Sequence, residues 1–472
     1  MHPKLKYASL KLLELFTTIF SFAAKNEKVS SSSAISQQTS FLDGMRGIAA
    51  LIVAFYHTAQ AYSSAVEKGY GHNGENCSFI QLPFIRLLYA GHAMVCVFFV
   101  IGGYVNALRP LHMMHYEKQW DKLFTSISSS LLRRSIRLYI PPVFATFFSA
   151  ITVRLGWWEA SRTAIDAGMF AGWPDFHPPR QPTMSAQLAD WWHHTAGLFN
   201  LWTYMTSSDA QPYYNVYDPH LWTVPYEVRT SLILMLVLVI VARCRPLARW
   251  LLLLAFIQFS ASWARWEVVM FLSGAMLADI KMYRDVHNES LPMQSEKDDS
   301  LLSAIGGPQK AAVTAIVLFT GLYLLSAPST HIDGTPGYIT ITSMIPESYG
   351  DKRRIVYGAG AIMLIWATSS SPALQQLFLT GIAQYLGRIS YALYIVHGPL
   401  LHIVGYAITT AIWKYLGTDG ESMMRWIAAV GLGNAITFAI IFLVANFFYI
   451  WVDTTSWDGG DKKPGDFFSS AQ

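Results

Sequence analysis

Apolar runs of about 20 residues recur along this chain, and that repetition limits its fold more than any single motif does. A run of that length is what an α-helix needs to cross the hydrocarbon of a bilayer, which is about 30 Å thick. Such runs lie near 43–62, 84–108, 138–156, 221–242, 249–264, 266–282, 311–328, 353–370, 388–412 and 425–450. The chain is therefore expected to be an all-α, polytopic transmembrane helical bundle of about ten spans, the fifth being the shortest. Its composition agrees, at 53% hydrophobic and 14% charged, where a soluble domain carries roughly a quarter charged residues.

The division expected is a cytosolic interfacial helix and linker over 1–40, a membrane domain over 41–452 and a polar tail over 453–472. Residues 1–28 surround the short apolar run LLELFTTIFSFAA with lysines, which reads as an interfacial helix rather than a span. The Ser/Gln-rich stretch Ser30 to Ser40 reads as a linker. The net charge of +4 is small and no basic tract suggests nucleic-acid binding. Cys77, Cys96 and Cys244 lie far apart, so neither a disulfide framework nor a zinc site is expected, and no metal.

Basic residues flanking the spans place the N-terminus in the cytosol. Arg109, Lys118, Lys122, Arg133, Arg134 and Arg137 then fall in a cytosolic loop over 109–137. Lys352, Arg353 and Arg354 conflict with that topology, because they fall on the opposite side. Asn76-Cys77-Ser78 lies in a non-cytosolic loop and fits a glycosylation acceptor at Asn76. A long non-cytosolic loop over 157–220 is rich in Trp, Pro and His, and its segment Leu188 to Met205 suggests a re-entrant or interfacial helix. The location expected is the endoplasmic reticulum or another endomembrane.

The polar residues inside the spans point to function, since ionisable groups in a bilayer normally face the bundle interior or a cavity. Phe41 to His57 reads FLDGMRGIAALIVAFYH. At about 100° per residue, His57 lies within roughly 20° of Arg46 and 40° of Asp43, on one stripe of the helix. Gly102 and Gly103, in CVFFVIGGYVNAL, allow a neighbouring helix or a ligand to approach closely. In RRSIRLYIPP, Arg133, Arg134 and Arg137 cluster on adjoining helical faces ahead of Pro141 and Pro142. They suit either a positive-inside anchor or the phosphates of a cytosolic ligand.

Glu227, in LWTVPYEVRTSL, is spaced wrongly to pair with Arg229 and needs a partner on another helix, His57 or an arginine. Ser390, Tyr394 and His397 recur at four and three residues in LGRISYALYIVH, a polar stripe on an apolar helix, with Tyr391 near the same face.

Taken in order, FLDGMRGIAALIVAFYH, FFVIGGYV, RRSIRLYIPP, LWTVPYEV, FLSGAML and LGRISYALYIVH resemble the acyltransferase-3 family of integral-membrane, acyl-CoA-dependent O-acyltransferases, from about residue 41 to 450. The resemblance is to a self-contained, fungal-like member. It departs at Gly102 and Tyr104, where the family has serine and phenylalanine.

The resemblance implies a membrane acyltransferase that moves an acyl group, acetyl by default, from acyl-CoA to a hydroxyl of a small acceptor. A terpenoid or polyketide secondary metabolite, a lipid and a sugar all fit, and membrane lipid surrounds the site. No cofactor is expected beyond acyl-CoA as co-substrate. His57 is expected as general base, with Asp43 or Glu227 to orient it and Arg46 on the oxyanion or the donor. Arg46 and His57 stand about 16 Å apart along one straight helix, which favours Glu227 over Asp43 as the orienter. Arg133, Arg134 and Arg137 are expected to hold the CoA phosphates, and Ser390, Tyr394 and His397 to line the acceptor or acyl tunnel. The rival class is a membrane transporter or lipid-handling protein, which also places charges on broken helices.

Overall fold

The computed structural model describes residues 34–118, 120–202, 214–290, 307–416 and 422–453. The expected interfacial helix and most of the polar tail lie outside the described residues. The long helices are α1 Ala34–Tyr62, α2 Gly91–His112 and α3 Trp120–Arg154. Two short helices follow, α4 Glu159–Asp166 and α5 Met184–Ala196. Next come α6 Thr223–Val241, α7 Pro246–Ser262, α8 Trp266–Ser290, α9 Gly307–Leu325 and α10 Lys352–Ser370. The last three are α11 Gly381–Leu400, its continuation α12 Tyr406–Leu416, and α13 Met423–Phe448. No strand occurs among the described residues, so the protein is an all-α polytopic bundle.

Each of the ten expected spans meets a helix. Seven of these stretches are long and apolar enough to cross a membrane on their own composition. The other three are α7, which is shorter, and α8 and α10, which carry more charge. Two carboxylates of α8 are neutralised within the bundle. Glu267 accepts from Arg229 of α6 at 2.9 Å. Asp279 accepts from Arg249 of α7 at 2.6 and 2.8 Å, from Trp250 at 2.9 Å, and meets His115 at 2.6 Å. Paired in this way, a carboxylate is tolerated at 0% and 1% exposure for Asp279 and Glu267.

Lys352, Arg353 and Arg354, which conflict with the expected topology, all have partners. Lys352 bonds Glu347 at 2.5 Å and Arg353 bonds the two Asp351 oxygens at 2.9 and 2.8 Å. The Arg354 guanidinium lies over the rings of both Trp222 and Trp266, at 5.2 and 4.7 Å from their centroids.

Two expectations change. Ser30 to Ser40 is not all linker, because α1 is helical from Ala34. The loop expected over 109–137 is also largely helix. A π turn over Met113–Glu117 ends α2, and α3 then runs 35 residues, straight through Pro141 and Pro142. That is about 52 Å of helix, well beyond the hydrocarbon thickness, so Arg133, Arg134 and Arg137 sit on a helix and not in a loop.

The core that positions the site is the contact of α1 with α11. A Cβ on Gly47 would lie 2.2 Å from the Gly387 nitrogen, and one on Gly387 2.5 Å from the Asp43 carbonyl oxygen. The two backbones therefore touch, as small residues allow in a membrane. The Gly102–Gly103 pair lets a neighbouring helix approach closely. A Cβ on Gly103 would sit 2.0 Å from the Phe271 carbonyl oxygen of α8, while Gly102 faces a cavity.

Candidate active site

Contact between α1 and α11 aligns their polar stripes, and α3 and α6 close the remaining walls. The cavity between them is open on one side and has a volume of about 130 Å³. Arg46, Arg134, Arg137, Glu227, Ser390 and Tyr394 supply its polar lining, and Val95, Phe98 and Phe99 of α2 much of its apolar wall. Arg46 donates to the Ser390 hydroxyl at 3.4 Å and lies 3.6 Å from Asp43 at the N-terminal end of the stripe. Arg134 donates to Glu227 at 2.6 Å and to the Ser231 hydroxyl at 2.8 Å. Arg133, by contrast, is exposed and turned to the Ser129 hydroxyl.

Glu227 thus finds an arginine rather than a histidine. The expectation that it orients His57 does not match the geometry, since its carboxylate is held by α3. Asp43 is half-exposed at the mouth, with Arg46 as its ion-pair partner.

His57 lies at the other end of α1, in a nest of histidines. Its ring centroid is 3.9 Å from that of His220 and 5.5 Å from that of His397, with 4.6 Å between the last two. One wall joins nest to cavity. Tyr394 lines the cavity, its hydroxyl meets Thr223 at 2.7 Å and the His220 carbonyl, and its ring is 6.1 Å from that of His397.

The nest contains groups that pattern reading missed. His220 Nδ1 is 2.8 Å from Asp218 Oδ1, and its Nε2 is 3.3 Å from Asp175 Oδ2. Asp175 lies also 3.8 Å from His402 Nε2. His402 is turned inward by a π turn over Leu401–Gly405, just after Pro399, and stacks on Trp158 at 5.0 Å. Asp218-Pro219-His220 stands directly before the LWT motif, so its sequence position was a usable signal. Asp175 carried no local signal. Its loop is fixed by Gly172 and Trp173, whose amides bond the carbonyls of Ala61 and Gln60 at the end of α1 at 3.1 and 2.8 Å.

Outside the spans, burial would raise the Asp175 carboxyl, but the imidazoles of His220 and His402 outweigh it and hold it well below the usual range. Burial lifts Asp218. Burial, aided by His402, lowers His177 to about 2.

Several of these nitrogens are buried without a hydrogen-bond partner among the described residues: His57 Nδ1, His220 Nε2 and His397 Nε2. For His220 the nearby Asp175 oxygen is out of line. His397 Nδ1 is 3.1 Å from the Leu393 carbonyl oxygen, so it carries the ring proton and Nε2 has the lone pair. The three rings each offer a nitrogen within 4.8 Å of the others. A tetrahedral metal bound to histidine at about 2.1 Å would require them to draw closer. Chemically, the arrangement offers a base beside a second imidazole that contacts carboxylates, one wall away from a cationic cavity.

Three comparisons bear on the identity of this arrangement. Residues 39–446 match the model of an acyltransferase domain, acyltransferase-3. The chain is 32% identical over 434 residues to the O-acetyltransferase PaAT-1 of Phomopsis amygdali, covering 89% of this chain and 83% of that one. It is 23% identical to acyltransferase R4 of a Phoma species, over 88% of this chain and 93% of that protein. It is 24% identical to acyltransferase clz18 of Cochliobolus lunatus, over 86% and 90%. No solved structure matches. With the domain match spanning nearly all of the helical bundle, the chain belongs to the acyltransferase-3 family and is a membrane acyltransferase.

Proposed function

We propose that the protein transfers an acetyl group from acetyl-CoA to a hydroxyl of a small hydroxylated acceptor, with His57 as the general base. The acceptor is a hydroxylated small molecule such as a terpenoid or polyketide secondary metabolite, a lipid or a sugar, and the similarity to a fungal O-acetyltransferase supports acetyl transfer to oxygen. The observation that carries the mechanism is the single Tyr394 wall between an arginine-lined cavity and a histidine nest. Arg46, Arg134 and Arg137 suit the phosphates of CoA, because a guanidinium offers paired donors to phosphate oxygens. Ser390 holds Arg46 in place and Tyr394 guides the acyl chain toward the histidines.

Direct transfer requires a group that accepts the hydroxyl proton as the oxygen attacks the thioester. His57 is suited to this, since imidazole has an unperturbed pKa near neutrality. In this reading the mouth at Arg46 faces the cytosol of an endomembrane, the histidine nest lies toward the opposite face, and Asn76, on a loop of that face, carries a glycan. Membranes containing the protein should move label from acetyl-CoA to an added hydroxylated acceptor, and His57→Ala should abolish this while inserting normally. Full activity in purified His57→Ala protein sinks the assignment.

A further inference from the structure

His220 is the one histidine of the nest with a carboxylate at each ring nitrogen, Asp218 at 2.8 Å and Asp175 at 3.3 Å, in a position only 4% exposed. A ring placed between two anions keeps a proton on both nitrogens. His57 has no ion-pair contact with a carboxylate among the described residues, and its buried Nδ1 has no hydrogen-bond partner there. An imidazole with no carboxylate in contact gives up its second proton more readily than one held between two. Two rings 3.9 Å apart thus differ in their counter-charges, the kind of asymmetry that separates an acid from a base in one site.

We propose that His220 is a second catalytic group, an imidazolium whose Nε2–H stabilises the oxyanion formed on the carbonyl of the acyl donor. The proposal rests on the acyl-transfer reading above and completes it. Arg46 is poorly placed for that task, since it is bonded to Ser390 and Asp43 at the other end of α1. The His220 Nε2 atom is buried and has no hydrogen-bond acceptor in line among the described residues. Its proton therefore awaits an acceptor that the developing oxyanion supplies.

In the reaction, the acceptor oxygen forms the new C–O bond as its proton passes to His57. The carbonyl electron pair moves to oxygen, where the His220 Nε2–H donates a hydrogen bond without transferring its proton. Collapse restores the C=O bond and breaks the C–S bond, and His57 returns its proton to the leaving sulfur. Asp218 acts as a positioning residue, because Oδ1 accepts from both the His220 amide, at 3.1 Å, and Nδ1. Asp175, carried on the 167–183 loop, acts as the second counter-charge.

The test is steady-state kinetics of purified protein across pH with acetyl-CoA and an acceptor. His220→Gln is expected to lower kcat about a hundred- to a thousandfold, the typical effect of losing one oxyanion donor, with donor KM changed far less. The alkaline limb of the kcat profile reports the second proton of His220. Asp218→Asn and Asp175→Asn should each move that limb to lower pH, an effect that a packing role alone does not produce. The groups facing His220 are His57 of α1, His397 of α11, Asp175 of the loop and Asp218 of its own turn, with His402 beyond Asp175.

A His220→Gln protein with wild-type kcat, or an unmoved alkaline limb in both Asn variants, overturns the proposal. If His220→Gln fails to fold, the near-isosteric Asp218→Asn still decides. Activity lost to a chelator and restored by zinc would make His220 a ligand and would also overturn it. Loss of the base reading is separately visible, because His57→Ala would then stay active while His220→Gln fell.

Discussion

Replacing Glu227 with glutamine separates two roles that the sequence alone could not distinguish. If Glu227 oriented His57, the variant would lose kcat and shift the acid limb of the pH profile. The structure instead bonds its carboxylate to Arg134 at 2.6 Å, with side-chain exposures of 31% and 23%. A hydrogen bond to a charged partner contributes about 1.5–3 kcal/mol net. Because this pair borders a cavity, water screens part of it, and the lower end of about 1.5 kcal/mol applies. That is roughly tenfold in an equilibrium constant. Glutamine retains the shape but not the charge, so Arg134 loses its anchor and keeps Ser231. The expected result is a roughly tenfold rise in acyl-CoA KM, a smaller change in kcat and an acid limb that stays in place. Initial rates against donor concentration at several pH values provide the assay. A shifted acid limb with an unchanged donor KM would refute the reasoning and return Glu227 to His57.

Further outcomes follow from the same geometry. His57→Ala should lower kcat by at least about a hundredfold, the usual contribution of a positioned base, with the protein still folded by size-exclusion chromatography. Arg137→Ala should raise donor KM more than it lowers kcat, and the reverse pattern would remove Arg137 from donor binding. Gly47→Ala should destabilise the bundle by about 1–3 kcal/mol, as overpacking does, because its Cβ would stand 2.2 Å from the Gly387 nitrogen; an unchanged melting curve in detergent would contradict that contact. Asp175 is held below the usual carboxylate range, so its contribution to stability is complete above its unfolded pKa of about 3.9 and fades as pH falls toward its folded value. The acid-side loss of thermal stability should therefore be smaller in Asp175→Asn, and an equal loss in both proteins would refute the pairing.

The helical architecture was legible because the bilayer imposes it. A lipid-facing backbone must satisfy its own hydrogen bonds, so long apolar runs can be little else than helices. The positions of Arg46, His57, Ser390, Tyr394 and His397 on inward stripes were legible for the same reason, through a fixed turn per residue. The partners of those residues were not. Glu227 was known to need a partner across the bundle, but periodicity does not say which helix lies opposite, and Arg134 won over His57. The extent of α3 was hidden by its arginines, which look like a loop to a hydropathy reading and yet extend a helix of 35 residues. Asp175 was the hardest to see, because a loop residue between Pro174 and Phe176 acquires its role only when the chain before it folds back onto α1.

The charges of this bundle follow one rule that explains both its stability and its chemistry. Where a carboxylate and a guanidinium meet without access to a cavity, as at Glu267 with Arg229 and at Asp279 with Arg249, every partner is matched and the pair is structural. Replacing one member of such a pair leaves an uncompensated buried charge, which costs about 3–5 kcal/mol. In the histidine nest the matching is incomplete, and His57, His220 and His397 each retain a nitrogen without a hydrogen bond among the described residues. Buried polar groups are normally satisfied, so three orphans facing one another mark a place where a ligand or water completes their hydrogen bonds. Stability would favour apolar replacements at these positions, and retention of the histidines is best understood as a demand of the reaction. His397→Phe should accordingly raise the melting temperature while lowering the transfer rate; a variant that lost stability and kept its rate would show that the nest serves folding instead.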